Sequence, residues 1–279
     1  MTVIANAKLN LYLDITGRRE DGYHLLETVM QSITLSDVLE ISFSESGGIE
    51  LCCSAPDIPS DERNIAYKAA KRYIDEAGIT CGVKIDIQKR IPSGAGMGGG
   101  SADAAAVLLA MEKRFGALGM EKLTELAATI GADVPFCLTG GTRVCTGIGE
   151  RMRDTEAVSG CCFLIVMPDF TCPTGEAYAR YDSAPIPAKS GLDEFECSLP
   201  CSFADKLYNS FEVLYGDARI DDIKARLMDC GADGALLTGS GAAVFGVFKD
   251  KERAEAAIKA FPQYFTAVCE PSDKGIIFT

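Results

Sequence analysis

The sequence predicts an α/β chain, of the mixed α+β kind, folded as two domains in close contact. Three observations carry this expectation. The chain has 279 residues, near the size at which one hydrophobic core gives way to two. Strand-like alternation and helical spacing take turns along its whole length, with no internal repeat or low-complexity tract. After a polar stretch, GERMRDTEAVSG (149–160), the apolar pattern restarts and runs strand, helix, strand, strand, helix, strand, which is the order of a ferredoxin-like unit. The boundary is set near residue 155, giving domains 1–155 and 156–279.

The elements follow in order. From Val3 to Ile15, apolar Val3, Ala5, Ala7, Leu9, Leu11 and Leu13 alternate with Asn6, Lys8, Asn10, Tyr12 and Asp14, which predicts a half-buried strand with a polar second face. GRREDG (17–22) reads as a turn, and a second mixed stretch runs through SDVLEISF. DERNIAYKAAKRYIDEAG (61–78) has helical spacing and stops at a glycine. Val83, Ile85, Ile87 and Ile91 alternate with Lys84, Asp86, Gln88 and Arg90, a strand leading into a glycine-rich loop. Ser101 is assigned as the cap of a helix from Ala102 to Phe115. EKLTELAATIG forms another helix and runs into GADVPF. The second half begins with the strand CCFLIVM and continues with helices around KLYNSFEVLYG and RIDDIKARLMDCG. Two short strands flank LTGSGAAVFGVF, and the helix KERAEAAIKAF precedes a last strand, YFTAVCE.

Composition narrows the function. A net charge of −13 argues against nucleic acid as a partner, because binding a phosphate backbone requires an excess of Lys and Arg on one face. No run of 18 apolar residues is present, so no membrane span is expected. The first residues, MTVIANAKLNLYLDI, carry Lys8 and Asp14 and no basic leader, so a signal peptide is not expected and a cytoplasmic location is. The twelve cysteines lie partly inside apolar segments, which suits buried reduced thiols better than a disulfide framework. Cys197 and Cys201 lack a second pair, and His24 is the single histidine, so a structural zinc site is not expected.

The loop Pro92-Ser93-Gly94-Ala95-Gly96-Met97-Gly98-Gly99-Gly100-Ser101-Ala102 carries the strongest chemical signal. Gly94, Gly96 and Gly99 satisfy G-x-G-x-x-G, but the following helix leads to a second helix rather than a parallel strand, so the dinucleotide-binding unit is incomplete. The same residues nearly spell a P-loop, with Gly100 standing where its lysine belongs. What survives is physical. Glycines allow close backbone approach, and the N–H groups opening a helix, with about half a positive charge of dipole, attract phosphate.

Moving a phosphoryl group also needs a cation, a group facing the acceptor and usually Mg²⁺. Lys8, between Asn6 and Asn10, is the candidate cation, although a lone strand lysine is more often simply solvated. Asp133 in GADVPF can fix a carboxylate at a helix mouth, or merely cap the next turn. The Ser101 hydroxyl can reach Mg²⁺ or phosphate. Gly239 and Ser240, in Thr238-Gly239-Ser240-Gly241, can offer backbone N–H groups to a substrate phosphate, although such a stretch is more often a hairpin turn. His24 follows Tyr23, setting a titratable ring beside an aromatic one.

Taken in order, AKLNLYLDITGRREDGYH, PSGAGMGGGSADAA, GADVPF and LTGSGAAVFGVF resemble the GHMP small-molecule kinases, from Ala7 to Phe248. The first motif resembles the branch that acts on diphosphocytidyl methylerythritol in the non-mevalonate isoprenoid pathway. The resemblance implies an N-terminal ATP-binding domain, a ferredoxin-like C-terminal domain and an active site in the cleft between them. It also implies ATP and Mg²⁺ as cofactors and phosphorylation of the substrate's 2-hydroxyl. By position, Asp133 becomes the base or orienting group and Lys8 its neighbour. Residues 92–102 wrap the ATP phosphates, with Asn64 and Lys89 near the nucleotide. Tyr23 and Tyr178 sandwich the cytosine, His24 bonds its edge and Asn10 meets the methylerythritol portion. Three alternatives stay open: a mevalonate or homoserine kinase, a catalytically silent nucleotide-binding relative, and a nicotinamide-dependent oxidoreductase. Sequence gives no oligomeric state.

Overall fold

The computed structural model describes all 279 residues. Its first half is built on two long antiparallel strands, β1 (Thr2–Arg18) and β2 (His24–Ser44), joined by the predicted turn. Strand β3 (Ile49–Cys53) and helix α1 (Ile65–Ala77) follow, then β4 (Gly82–Gln88), the glycine loop and helix α2 (Gly99–Phe115). Helices α3 (Gly119–Ile130) and α4 (Val134–Thr139) lead to the hairpin β5 (Thr142–Gly147) and β6 (Arg151–Asp154). The sheet runs β4 between β2 and β3, with β5 continuing β2 at its other end. Helix α1 stops because Gly78 adopts a left-handed conformation, φ 62°, which glycine tolerates best.

The second half begins with β7 (Cys162–Met167), α5 (Thr174–Ser183) and α6 (Leu192–Glu196). A two-residue strand β8 (Tyr208–Asn209) runs into α7 (Ser210–Tyr215), where the sequence pattern predicts one continuous helix. Asn209 ends the strand and caps the helix by accepting from Phe211 N. Helix α8 (Ala218–Asp229), β9 (Gly234–Leu237), β10 (Val244–Phe248), α9 (Lys251–Ala257) and β11 (Phe265–Cys269) complete the unit. Its four strands lie in the order β11-β7-β10-β9, all antiparallel, as the ferredoxin-like pattern requires.

The chain then returns. Strands β12 (Pro271–Ser272) and β13 (Ile276–Phe278) pair with β2 and β1, and β8 also pairs with β1. A single cut at residue 155 is therefore crossed by three later strands that belong to the first sheet. Apolar side chains close the seam between the two sheets: Leu9, Leu11 and Met97 from one side share a buried cluster with Phe163, Ile165 and Phe245 from the other.

This return corrects the expectation for β1, which is buried on both faces rather than half-buried: Tyr12 and Asn10 are each 1 % exposed and Asp14 is 0 %. Asp14 and Tyr12 are satisfied from the second half of the chain. Asp14 accepts from Ser190 N (2.9 Å) and Ser210 Oγ (3.0 Å), and the Tyr12 hydroxyl accepts from Gly191 N (2.8 Å). Alternation alone reports the presence of a polar face; it cannot report that a distant segment covers it.

Candidate active site

A cavity of about 940 Å³ opens between the two halves. Helix α2 begins three residues earlier than the sequence pattern suggests, which corrects the expected cap. The N-cap is Gly98 in a left-handed conformation, φ 69°, with no side-chain hydrogen bond, and Ser101 already lies inside the first turn. The first helical bond runs from Ala102 N to Gly98 O, 2.8 Å, which leaves the N–H groups of Gly99, Gly100 and Ser101 without intrahelical partners. Those three residues line the cavity, and unpaired N–H groups opening a helix make a place suited to an anion. Ala102 does not belong to it: the residue is fully buried, its N–H is spent on Gly98, and it faces the core.

Lys8 reaches the same point from β1. Its Nζ donates to Asn10 Oδ1 at 2.7 Å and lies 3.3 Å from Asp133 Oδ2, with the lysine side chain 5 % exposed and the carboxylate side chain 30 %. Asp133 sits at the N-cap position of α4 yet makes no side-chain cap bond, so its carboxylate faces Lys8 and the cavity instead. Gly98 makes this approach possible: a Cβ there would lie 3.1 Å from Lys8 Cγ and 3.2 Å from Lys8 Cε. A lysine thus stands beside the glycine loop, brought there by a strand some ninety positions upstream.

The two glycine loops also touch each other. A Cβ on Gly96 would come within 2.2 Å of Thr238 O, and one on Gly239 within 2.8 Å of Gly96 O. Ala243 N donates to Ala95 O at 3.2 Å and Asn10 N to Thr238 Oγ1 at 3.0 Å. Some of the glycines therefore serve packing, as Gly96 and Gly239 do, while Gly99 and Gly100 open the helix. Ser240 carries hydrogen bonds of its own, with its Oγ 3.0 Å from Thr174 Oγ1 and its carbonyl accepting from the Tyr215 hydroxyl. Gly239 and Ser240 both line the cavity.

Several other expected residues reach the cavity with their polar atoms already engaged. Asn10 holds Lys8 with its oxygen and donates to Thr28 Oγ1 (2.8 Å) with its nitrogen. Asn64 caps α1, accepting from Ala66 N and donating to Pro59 O. Lys89 is 6 % exposed in its side chain and donates to Asp37 (2.5 Å) and Asp103 (2.8 Å). Burial pulls its ammonium down, but the carboxyl groups of Asp103 and Asp37 outweigh that and hold it above the usual lysine range. Asp37 also accepts from Arg90 N and Ile91 N, so this cluster fixes the start of the glycine loop.

At the far end, Tyr23 is 59 % exposed and has no ring partner. Tyr178 does not face it across a slot. It stacks on His24, with centroids 4.5 Å apart and planes at 17°, while Tyr181 meets the same ring edge-on. Burial pushes the Tyr178 hydroxyl well above the usual phenol range. His24 Nε2 lies 2.8 Å from Asp182 Oδ1. The sequence pattern did not single out Asp182 or Thr238. The available signal for Asp182 was its spacing one helical turn after Tyr178.

No group of three or more His, Cys, Asp or Glu side chains is arranged to hold a metal. The twelve cysteines are free thiols, five of them buried, and no helix is long and apolar enough to cross a membrane.

Residues 64–141 match the GHMP kinases N terminal domain and residues 209–267 the GHMP kinases C terminal domain. A 4-diphosphocytidyl-2-C-methyl-D-erythritol kinase of Clostridium botulinum (strain Eklund 17B / Type B) is 37% identical over 275 residues, covering 96% of this chain and 98% of that protein. Its counterpart in Clostridium acetobutylicum is 40% identical over 264 residues, covering 91% and 93%. A crystal structure of 4-(cytidine 5'-diphospho)-2C-methyl-D-erythritol kinase superposes with a TM-score of 0.81 at 32% identity, covering 98% of this chain and 100% of the other. A homoserine kinase from Cytophaga hutchinsonii shares the fold, with a TM-score of 0.75 at 18% identity, 99% of this chain and 96% of the other being covered. With the two glycine loops, the Lys8–Asp133 pair and the aromatic end in one cleft, the chain belongs to the 4-diphosphocytidyl-2-C-methyl-D-erythritol kinases, small-molecule phosphotransferases of the GHMP family that use ATP.

Proposed function

We propose that Lys8 and Asp133 are the catalytic pair with which this kinase phosphorylates the 2-hydroxyl of 4-diphosphocytidyl-2-C-methyl-D-erythritol. The observation that carries this reading is the 3.3 Å contact between Lys8 Nζ and Asp133 Oδ2, set beside the first turn of α2. In this reading the free N–H groups of Gly99, Gly100 and Ser101 hold the ATP phosphates. Asp133 accepts the hydrogen bond of the acceptor hydroxyl and orients its oxygen. That oxygen attacks the γ-phosphorus, the bond from the γ-phosphorus to the β–γ bridging oxygen breaks, and the hydroxyl proton passes to the carboxylate while ADP leaves. Lys8 lies between the carboxylate and the loop, where an ammonium offsets negative charge on the transferring group. Asn10 serves by aiming Lys8.

Mg²⁺ requires few protein ligands when phosphates and water supply the rest. The Ser101 hydroxyl makes no hydrogen bond within the protein and lines the cavity, so it fits as the one side-chain ligand to an ion carried by the triphosphate. Such an ion would screen the phosphate charge.

At the far end Tyr23 offers an exposed face for the cytosine, and Tyr178 supports His24 from behind. Neutral rings select a base without adding cations, which suits a chain with a net charge of −13. Mevalonate and homoserine have no base to stack, so this end favours the cytidine substrate over those of the related kinases. ADP release measured against diphosphocytidyl methylerythritol, mevalonate and homoserine tests the assignment. Turnover confined to the first substrate is expected, and turnover confined to mevalonate would overturn it.

A further inference from the structure

His24 is held on several sides. Tyr178 covers one face at 4.5 Å, Tyr181 abuts the ring edge-on at 5.5 Å, and Asp182 Oδ1 meets Nε2 at 2.8 Å. Tyr178, Tyr181 and Asp182 lie within one turn of α5, so a single helix grips the ring. The other oxygen of Asp182 lies 3.3 Å from Arg18 Nη1, which fastens the carboxylate to the end of β1 as well. The His24 side chain is 7 % exposed, and Nδ1 has no hydrogen-bond partner in the protein although the residue lines the cavity. Nδ1 is also absent from the fully enclosed polar atoms that lack partners, so it retains access to the cleft.

An ion-paired carboxylate only accepts, so the Nε2 facing it must carry the proton. In the neutral ring the remaining nitrogen, Nδ1, then has a lone pair and no hydrogen. A site that only accepts complements a group that donates. Cytosine presents an exocyclic amino group where uracil presents a carbonyl oxygen. A lone pair set against that carbonyl leaves both unpaired, and a site built for one partner rejects its isostere strongly on that account.

We propose that Asp182 is a specificity-determining positioning residue: by accepting the Nε2 proton it fixes the His24 tautomer whose Nδ1 accepts from the cytosine amino group and turns uracil away. This rests on the cytidine substrate proposed above. Asp182 touches no reacting atom; it acts through His24 alone.

His24 is the only histidine in the chain, so nitrogen NMR of histidine-labelled protein reports its tautomer without ambiguity. The expected spectrum shows a protonated Nε2 and an unprotonated Nδ1 at neutral pH. In Asp182→Asn, the side-chain amide can donate to Nε2, so a mixed or reversed tautomer is expected. Kinetics supply the second reading. The ratio of kcat/KM for diphosphocytidyl methylerythritol to that for its uridine counterpart should fall at least about 10-fold in Asp182→Asn, the loss of one discriminating hydrogen bond. The KM for ATP should not move. A ring protonated at Nδ1 in the unaltered protein overturns the proposal, and so does a cytidine-to-uridine ratio unchanged within about threefold in the variant. If the unaltered enzyme phosphorylates neither nucleotide substrate, the substrate reading fails on its own, and the spectrum still decides the tautomer.

Discussion

Lys8 Nζ stands 3.3 Å from Asp133 Oδ2 although 125 residues separate them, and Gly98 lies directly against the lysine stem. Replacing the carboxylate by an amide keeps the shape of this contact and removes the proton acceptor. Asp133→Asn should lower kcat about 10² to 10⁴-fold, the range for loss of a positioned general base, with little change in the KM for ATP. Initial rates across an ATP series provide the check. Near-full activity in the variant would take Asp133 out of the chemistry.

The close meeting of the two glycine loops makes a prediction about stability rather than chemistry. In Gly96→Ala the new methyl group must sit about 2.2 Å from Thr238 O, and the residue keeps φ near 75°. The left-handed backbone alone costs an L-residue roughly 1–2 kcal/mol, and the backbone oxygen can yield only if the second loop shifts. Thermal unfolding should show a fall of several degrees in Tm. Gly78→Ala has the same sign of φ but open space around its Cβ, so it should lose less. Equal losses at the two positions would count against the loop contact.

Much of this architecture is readable from local pattern. The strand preceding the glycine loop, α1 with its terminal glycine and the β-α-β-β-α-β order all follow from periodicity and turn residues, because each depends on neighbours in sequence. The misreadings share one cause. Whether Tyr12 and Asp14 face water depends on Ser190, Gly191 and Ser210, and the left-handed Gly98 that begins α2 packs against Lys8 from a distant strand. Lys89, Asn64 and Asn10 were expected near ligands and do line the cleft, yet their polar atoms are tied to Asp37, Asp103, Pro59 and Thr28. Residue type marked the right neighbourhood; the division between holding a ligand and holding another side chain is settled only in three dimensions.

Thiol reactivity should sort the twelve cysteines by burial. Cys52, Cys197 and Cys201 are exposed. Burial pushes the Cys145 and Cys161 thiols up to about 12 and drives Cys137 and Cys269 higher, so almost no thiolate forms there at neutral pH. Titration of the native protein with a disulfide reagent should give a fast phase of about three thiols, with all twelve reacting in denaturant. A fast phase covering most of them would mean that the core is more open than these packing contacts allow.

The Lys89 cluster sets one ammonium against two carboxyl groups, and Asp103 Oδ1 is buried without a partner. Burial raises the Asp103 carboxyl well above the usual carboxylate range, against the opposing pull of Lys89. Above that usual range the folded protein keeps a proton that the unfolded chain has released, so the Asp103 contribution to stability declines as pH rises toward the raised value. Asn at this position resembles the protonated acid and cannot ionise. Asp103→Asn should therefore match the unaltered protein most closely near pH 5 and gain on it steadily toward pH 8. Thermal unfolding of both proteins across that range measures the gap, and a difference that stays flat or narrows with pH would show that Asp103 is ionised in the folded state.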